Sequence, residues 1–475
     1  MVTPADKPPS EPADLAAWAA LRQELVAHVN WRDRVVVLAF AVLTGLAVVG
    51  FTLLAESASH GHARLAGHSG AWGGSAWLML IWTPLLTVAV LAWTRRFAPG
   101  ALGSGIPQVV RAVDEELAPN QRRALVSPQL AFAKIGLVSG GLLAGLSIGR
   151  EGPTVQVGAG LMVGAKRFLS RNSSVDEHDL MVAGAAAGIA AAFNTPLGGI
   201  VFGLEQLTRR RGLGHSTLVI AVIVLAGLVA VAAFGNNSYF GRLRVQSVGW
   251  ELLVPGLVVA LVSGLAGGLF ARLIVASAAG LPDRFSRWRR DHPLRFAGGC
   301  ALAVAVIGLV TGGQTAGAGY EPTRALLEGR TPLGGGEWPG LYTLLKYCAT
   351  WLSAWTGVPA GVFAPSLAVG AGIGHDVATL ADLPSDAAIP LIALGMVGFL
   401  AATTQAPITA FIIVMEMVSG HAMVLSLMAC SMVAAGVSRL LSRPMYGQLA
   451  ALLPLPPPEP PAAAASPAVR PAAPR

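Results

Sequence analysis

Gly149-Arg150-Glu151-Gly152-Pro153-Thr154-Val155-Gln156-Val157-Gly158-Ala159-Gly160 decides the reading of this chain, because a second stretch repeats it. Gly361-Val362-Phe363-Ala364-Pro365-Ser366-Leu367-Ala368-Val369-Gly370-Ala371-Gly372 carries the same leading glycine, the same proline and the same Val-Gly-Ala-Gly end. The leading glycines stand 212 residues apart. A second pair of landmarks keeps nearly the same offset: Pro196 with Glu205, and Pro407 with Glu416, stand 211 apart. Two landmarks at one offset indicate an internal repeat of about half the chain. In an apolar chain, repeated segments broken by Gly and Pro point to a solute site at the repeat interface.

Composition agrees with a membrane protein. Of 475 residues, 54% are hydrophobic and 12% charged, against about 25% charged in a soluble domain. Runs at 35–54, 75–93, 217–234, 252–280 and 296–311 are long and apolar enough to span. The runs at 151–165, 181–192, 362–374 and 406–419 are short or interrupted, so half-spans are expected beside full ones. The 57 glycines suit close helix–helix approach in lipid. The fold class expected is an all-α membrane protein of two inverted repeats, with many tilted and broken helices.

The net charge of +8 is no nucleic-acid signal, because the basic residues cluster at the ends of the apolar runs. Arg32 and Arg34, Arg95 and Arg96, Lys166 and Arg167, Arg209 to Arg211, and Arg284, Arg287, Arg289 and Arg290 are placed in the cytoplasm by the positive-inside rule. The N-terminus goes with them, and 57–73 falls outside. Residues 1–30 lack the apolar core of a signal peptide. Cys300, Cys348 and Cys430 fit no metal spacing and read as packing residues. No cofactor, metal or P-loop is indicated.

Three domains are expected. Residues 1–32 form a cytoplasmic segment, Pro-rich over 1–12 and amphipathic helix over 13–30. Residues 33–453 form the membrane body, in halves of about 33–240 and 241–453 joined through the Gly235-Asn236-Asn237-Ser238 loop. Residues 454–475 form an unstructured Pro/Ala-rich tail.

Three helix starts carry the chemistry. Gly103-Ser104-Gly105-Ile106-Pro107 places a hydroxyl at the opening of a helix whose second residue is proline. Such an end offers orphan N–H donors and a positive dipole to an anion. Read alone, the pentapeptide serves equally as a turn with a serine cap. Gly149-Arg150-Glu151-Gly152-Pro153 sets a carboxylate at a similar opening. Ionisable groups inside apolar segments default to function. Glu151 is therefore a candidate gate and proton acceptor, the alternative being a structural Arg150–Glu151 pair. Gly361-Val362-Phe363-Ala364-Pro365 is an uncharged start whose Val362 and Phe363 amides can bind an anion, and which alone is a plain helix break. Together the three describe converging helix N-termini at mid-membrane depth, with donors that bind a halide without trapping it.

In this order the three motifs resemble the signatures of the CLC family of chloride channels and chloride/proton exchangers. The similarity covers the whole membrane body, and Arg443-Pro444-Met445-Tyr446 resembles the start of the family's final helix. The resemblance implies that Ser104 and Tyr446 contact a central chloride, that the Val362 and Phe363 amides complete its site, and that Glu151 is the external gate. It also implies a homodimer in the bacterial inner membrane with one pathway per subunit, cytoplasmic termini, and chloride, other halides and protons as partners. Ser104 and Tyr446 favour chloride over fluoride, and Ser104 over the proline of nitrate-preferring members.

One position departs from that pattern. Phe193-Asn194-Thr195-Pro196 and its following helix resemble a segment with two consecutive acids in proton-coupled members, the second being the internal proton-transfer residue. Here the pair is Glu205 and Gln206, and a glutamine cannot take up a proton near neutral pH. Glu205 faces about 100° away from it on a helix and reads as a structural carboxylate, as does Glu416. Lys134 is an intramembrane cation that raises the local potential for anions or pairs with a buried acid. Exchange with weak coupling and passive gated conduction both stay open, with exchange favoured by intact Glu151 and Tyr446. A remote alternative, an intramembrane serine protease, requires a Ser104–His375 hydrogen bond.

Overall fold

The computed structural model describes residues 28–67, 76–114, 116–171, 173–208, 216–235, 240, 250–330 and 340–458. The expected helix at 13–30 lies mostly outside this range, as do the loop at 236–239, Arg209 to Arg211, and residues 459–475 of the tail.

Among the described residues the chain is helical. The first half holds α1 (His28–Leu65), α2 (Met79–Phe97), α3 (Ile106–Ala112), α4 (Pro119–Leu125), α5 (Pro128–Leu143), α6 (Glu151–Val163), α7 (Glu177–Phe193), α8 (Pro196–Phe202) and α9 (Ser216–Phe234). The second holds α10 (Leu253–Ala279), α11 (Arg284–Asp291), α12 (Pro293–Val310), α13 (Tyr320–Leu327), α14 (Leu341–Trp355), α15 (Phe363–Leu380), α16 (Ser385–Thr404), α17 (Pro407–Met417), α18 (Val424–Leu441) and α19 (Met445–Ala451). Eight helical segments are long and apolar enough to cross a membrane. All five long apolar runs lie in such segments. Three others, at Pro119–Leu143, Ala387–Thr404 and His421–Leu441, had not been singled out.

Proline sets many of the short helices. It occupies the first position of α4, α5, α8, α12 and α17 and the second of α3. Its fixed φ and missing N–H cost nothing there. A chain that restarts a helix at each proline gives half-spans and re-entrant ends.

The core is a pair of antiparallel crossings related by the repeat. In α6 every residue from Glu151 to Met162 is buried, and α7 is buried from Leu180 onward. A Cβ at Gly158 would lie 2.1 Å from the Gly184 carbonyl oxygen, and one at Gly184 2.3 Å from that of Gly158. The α15–α16 crossing repeats this, with 2.3 Å from Gly370 to the Gly395 oxygen and 2.1 Å in return. Only glycine permits backbones this near, which is the use of small residues in lipid. The αL caps repeat too: Asn194 ends α7 at φ 57° and Gln405 ends α16 at φ 53°. Outside this core, α1, α2, α10 and α18 expose leucines, valines and tryptophans, as a lipid-facing layer must.

Arg32 donates to the Phe168 carbonyl (3.3 Å), beside Asp33, which accepts from Ser170 N (3.0 Å). Arg95, Arg289 and Arg290 line one common cavity. The first tail residues lie against α4, where Pro457 and Pro456 carbonyls accept from Asn120 and Gln121, both at 2.8 Å.

Candidate functional site

The loops that open α3, α6 and α15 are sewn together by backbone hydrogen bonds. Gly149 N donates to Gly361 O (2.7 Å) and Gly361 N to Gly149 O (3.0 Å), an antiparallel bridge between the two repeated motifs. Ala360 N donates to Gly103 O (3.1 Å). The three starts recognised in the sequence thus converge within a few ångströms, each from a different helix.

Each loop has its own scaffold. Gly105 turns at φ 100°, closed to most side chains. Its N–H reaches Gln108 Oε1 (2.9 Å), and Gln108 Nε2 donates to Leu102 O. Lys134 is fully buried on α5 and donates to Ala101 O (2.7 Å) and Gly103 O (2.6 Å). It therefore pins the Ser104 loop through two backbone carbonyls. Lys346, 212 residues on, does the same for the loop before α13, donating to Thr315 O (2.9 Å) and Gly317 O (2.8 Å). The repeat offset would have found Lys346 beforehand.

Two hydroxyls mark the site itself. Ser104 Oγ and Tyr446 Oη are buried and make no protein hydrogen bond among the described residues. Unpaired buried hydroxyls are costly unless a ligand or water completes them. Both side chains line a cavity of about 520 Å³, together with Pro107, Val362 and Met445. The cavity also meets Arg95, Arg289 and Arg290, which make it electropositive. Val362 caps α15 and Phe363 opens it, so their N–H groups have no intrahelical acceptor. Phe363 is braced against Phe193, ring centroids 5.8 Å apart.

Glu151 closes the assembly. It is fully buried as the first residue of α6. A Cβ on Gly149 would lie 2.4 Å from Glu151 Oε2, 3.1 Å from Pro365 and 3.3 Å from Ala364. The carboxylate therefore occupies the space over the N-terminus of α15, where a dipole attracts an anion. Arg150 lies 3.8 Å from Glu151 but makes shorter contacts with Glu56 Oε1 (3.2 Å) and Thr52 O (3.1 Å) on α1. The closest partner of the Glu151 carboxylate is the Tyr320 hydroxyl, from the loop after Gly319. Neither Glu56 nor Tyr320 was singled out from the sequence. The signal for Tyr320 was present, since Gly317-Ala318-Gly319 stands 214 residues after Gly103-Ser104-Gly105.

Glu205 and Gln206 part company. They lie in a π-turn, 203–207, that ends α8. Glu205 caps α17, accepting from Thr409 N (2.7 Å) and Ile408 N (3.2 Å). Its repeat mate Glu416 caps α8, accepting from Gly198 N (2.8 Å) and Leu197 N (3.3 Å). Gln206 points inward, buried, with Nε2 unpaired. Ser104 and His375 are not brought together: among the described residues Ser104 Oγ has no hydrogen-bond partner, and His375 stands 3.8 Å from Asp376 Oδ1, its own neighbour.

The family described as voltage gated chloride channel matches residues 85–439. A Vibrio cholerae protein named H(+)/Cl(-) exchange transporter ClcA is 31% identical over 376 residues, 74% of this chain and 75% of that protein. A Cronobacter sakazakii protein of the same name is 31% identical over 400 residues, 79% of this chain and 80% of that protein. In fold, the chain resembles a slow cyanobacterial Cl-/H+ antiporter, with TM-score 0.73, 21% identity, and 88% of this chain and 97% of that one covered. It also resembles a CLC-type fluoride/proton antiporter at TM-score 0.71, with the same identity and coverage. The repeat, the three sewn helix starts and these matches agree: the chain belongs to the voltage gated chloride channel family.

Proposed function

We propose that this protein moves chloride across the membrane through a pathway in each subunit of a homodimer, in exchange for protons that enter and leave on Glu151. The observation that carries the reading is the pair of buried hydroxyls, Ser104 Oγ and Tyr446 Oη, that line the central cavity beside arginines and, among the described residues, no acid. Ser104 Oγ and Tyr446 Oη are unpaired, the α3 and α15 N-termini supply amides and dipoles, and Glu151 is poised over the second of these. Among the described residues no carboxylate lines the cavity and three arginines do, so a cation is repelled, while a halide finds hydroxyls, amides and a positive field. Ser104 and Tyr446 favour chloride over fluoride. The basic face carrying Arg32, Arg95, Arg289 and Arg290 is the cytoplasmic one, and the two ends of the membrane body meet it.

Coupling is loose in this reading. Gln206 sits buried in the turn that ends α8, at the position where the resemblance puts a proton-relaying acid, and it does not titrate. Reversal potential under opposed chloride and pH gradients in proteoliposomes is the test. A value between the chloride Nernst potential and that of a tightly coupled exchanger is expected. Gln206→Glu should move it toward tight coupling. A wild-type value at the chloride Nernst potential would replace exchange by passive conduction, with Glu151 as a pH-sensitive gate. Potassium flux matching chloride flux would remove the anion reading altogether.

A further inference from the structure

The Glu151 carboxylate has a partner outside the central cavity. Tyr320 opens α13, and its hydroxyl donates to Glu151 Oε1. The phenol is held on a stiff frame. Gly319, in the left-handed region at φ 87°, packs so tightly that a Cβ there would meet Ala368 Cβ at 2.6 Å and Lys346 Cε at 3.0 Å. Lys346 pins the carbonyls of Thr315 and Gly317 behind it. Gly317 N donates to Leu146 O (3.0 Å), tying this loop to the one that leads into α6. The ring is flanked by Phe240, centroids 6.0 Å apart, and by the Arg150 guanidinium 5.7 Å from its centroid.

We propose that Tyr320 is a positioning residue of the gate, a latch that recognises the charged carboxylate. This rests on Glu151 being the gate. A hydrogen bond to an ionised acceptor is roughly twice as strong as one to a neutral acceptor. The latch therefore holds the carboxylate over α15 and releases it on protonation. Without the hydroxyl the charged carboxylate leaves more readily, and the protonated one is little affected.

The other charged groups near Glu151 do not duplicate this contact. Arg150 is drawn to Glu56 of α1. Lys134 of α5 is directed at the Ser104 loop, and Arg111 of α3 pairs with Asp114 (2.8 Å). His62 of α1 lies against Gly145. Glu177, His178 and Asp179 of α7 and His375 and Asp376 of α15 belong to the distant ends of helices whose other ends meet the site. On α19, Tyr446 faces the cavity.

The experiment is chloride efflux from proteoliposomes against pH, for wild type, Tyr320→Phe, Glu151→Gln and the double variant. Phenylalanine removes only the oxygen and keeps the ring packing. Tyr320→Phe should shift the pH of half-maximal flux upward by roughly one unit and raise residual flux at high pH. In the Glu151→Gln background it should change nothing. Tyr320→Leu, which also deletes the ring, must shift the profile in the same direction. An unmoved profile in folded Tyr320→Phe, or an equal change in the Glu151→Gln background, overturns the latch. If Glu151→Gln itself leaves flux as pH-dependent as wild type, the gate reading fails instead, so the two failures are distinguishable.

Discussion

The two halves of this molecule share a scaffold and divide the chemistry. Both have a buried lysine pinning a Gly-X-Gly loop, Lys134 in the first and Lys346 in the second. Both have a Gly-Gly crossing with backbones in contact. Their carboxylates are exchanged, Glu205 capping α17 and Glu416 capping α8. At the helix openings the halves differ in chemistry. Glu151 stands where the second half has Phe363, and Ser104 where it has Ala318, while Tyr320 stands where the first half has Ile106. Symmetric parts build the frame, and asymmetric ones set a carboxylate, a serine hydroxyl and a phenol at the helix openings.

The sharpest way to break this comparison is to remove its one charge. Glu151→Gln keeps the shape and deletes the titrating group. Proton movement should vanish while chloride flux persists, measured with a pH electrode and chloride electrode on one vesicle preparation. Loss of chloride flux in folded protein would show instead that the carboxylate is structural.

The lysines test the shared frame. Lys134→Met and Lys346→Met each strand two buried carbonyls, at about 1–3 kcal/mol apiece. Both variants should lose several degrees of thermal stability in detergent, by similar amounts. A large loss at one and none at the other would mean that the equivalence is geometric only. The smallest effect should be at the hydroxyls. Ser104→Ala should weaken chloride binding about fivefold to tenfold by calorimetry, and Ala318→Ser should leave it unchanged. A matching gain at Ala318 would place a second anion contact in the other half.

Much of this was legible in the residues. Glu151, Ser104, Val362, Phe363 and Tyr446 were picked out by Gly/Pro punctuation and by resemblance; Ser104, Val362 and Tyr446 line the cavity, and Glu151 and Phe363 each open a helix. Local rules suffice there, because a proline after glycine starts a helix wherever the chain goes. Lys346 was reachable by carrying Lys134 across the repeat. Glu56 was not, since nothing in α1 marks which polar residue will meet Arg150 almost a hundred positions later.

By itself the sequence determined the membrane class, the repeat, the helix starts and the identity of the groups that can titrate or donate, because composition, periodicity and punctuation act over a few residues. Only the tertiary structure decided the partners. Lys134 had two readings, as a field for anions or a mate for an acid, and it binds backbone carbonyls. Adjacent Glu205 and Gln206 go to opposite destinations, one to cap a distant helix and the other into the interior. Glu151 meets Tyr320 rather than closing mainly on Arg150. A buried polar group must be satisfied by whatever the fold brings within about 3 Å, and that neighbour is set by long-range packing that no local pattern encodes.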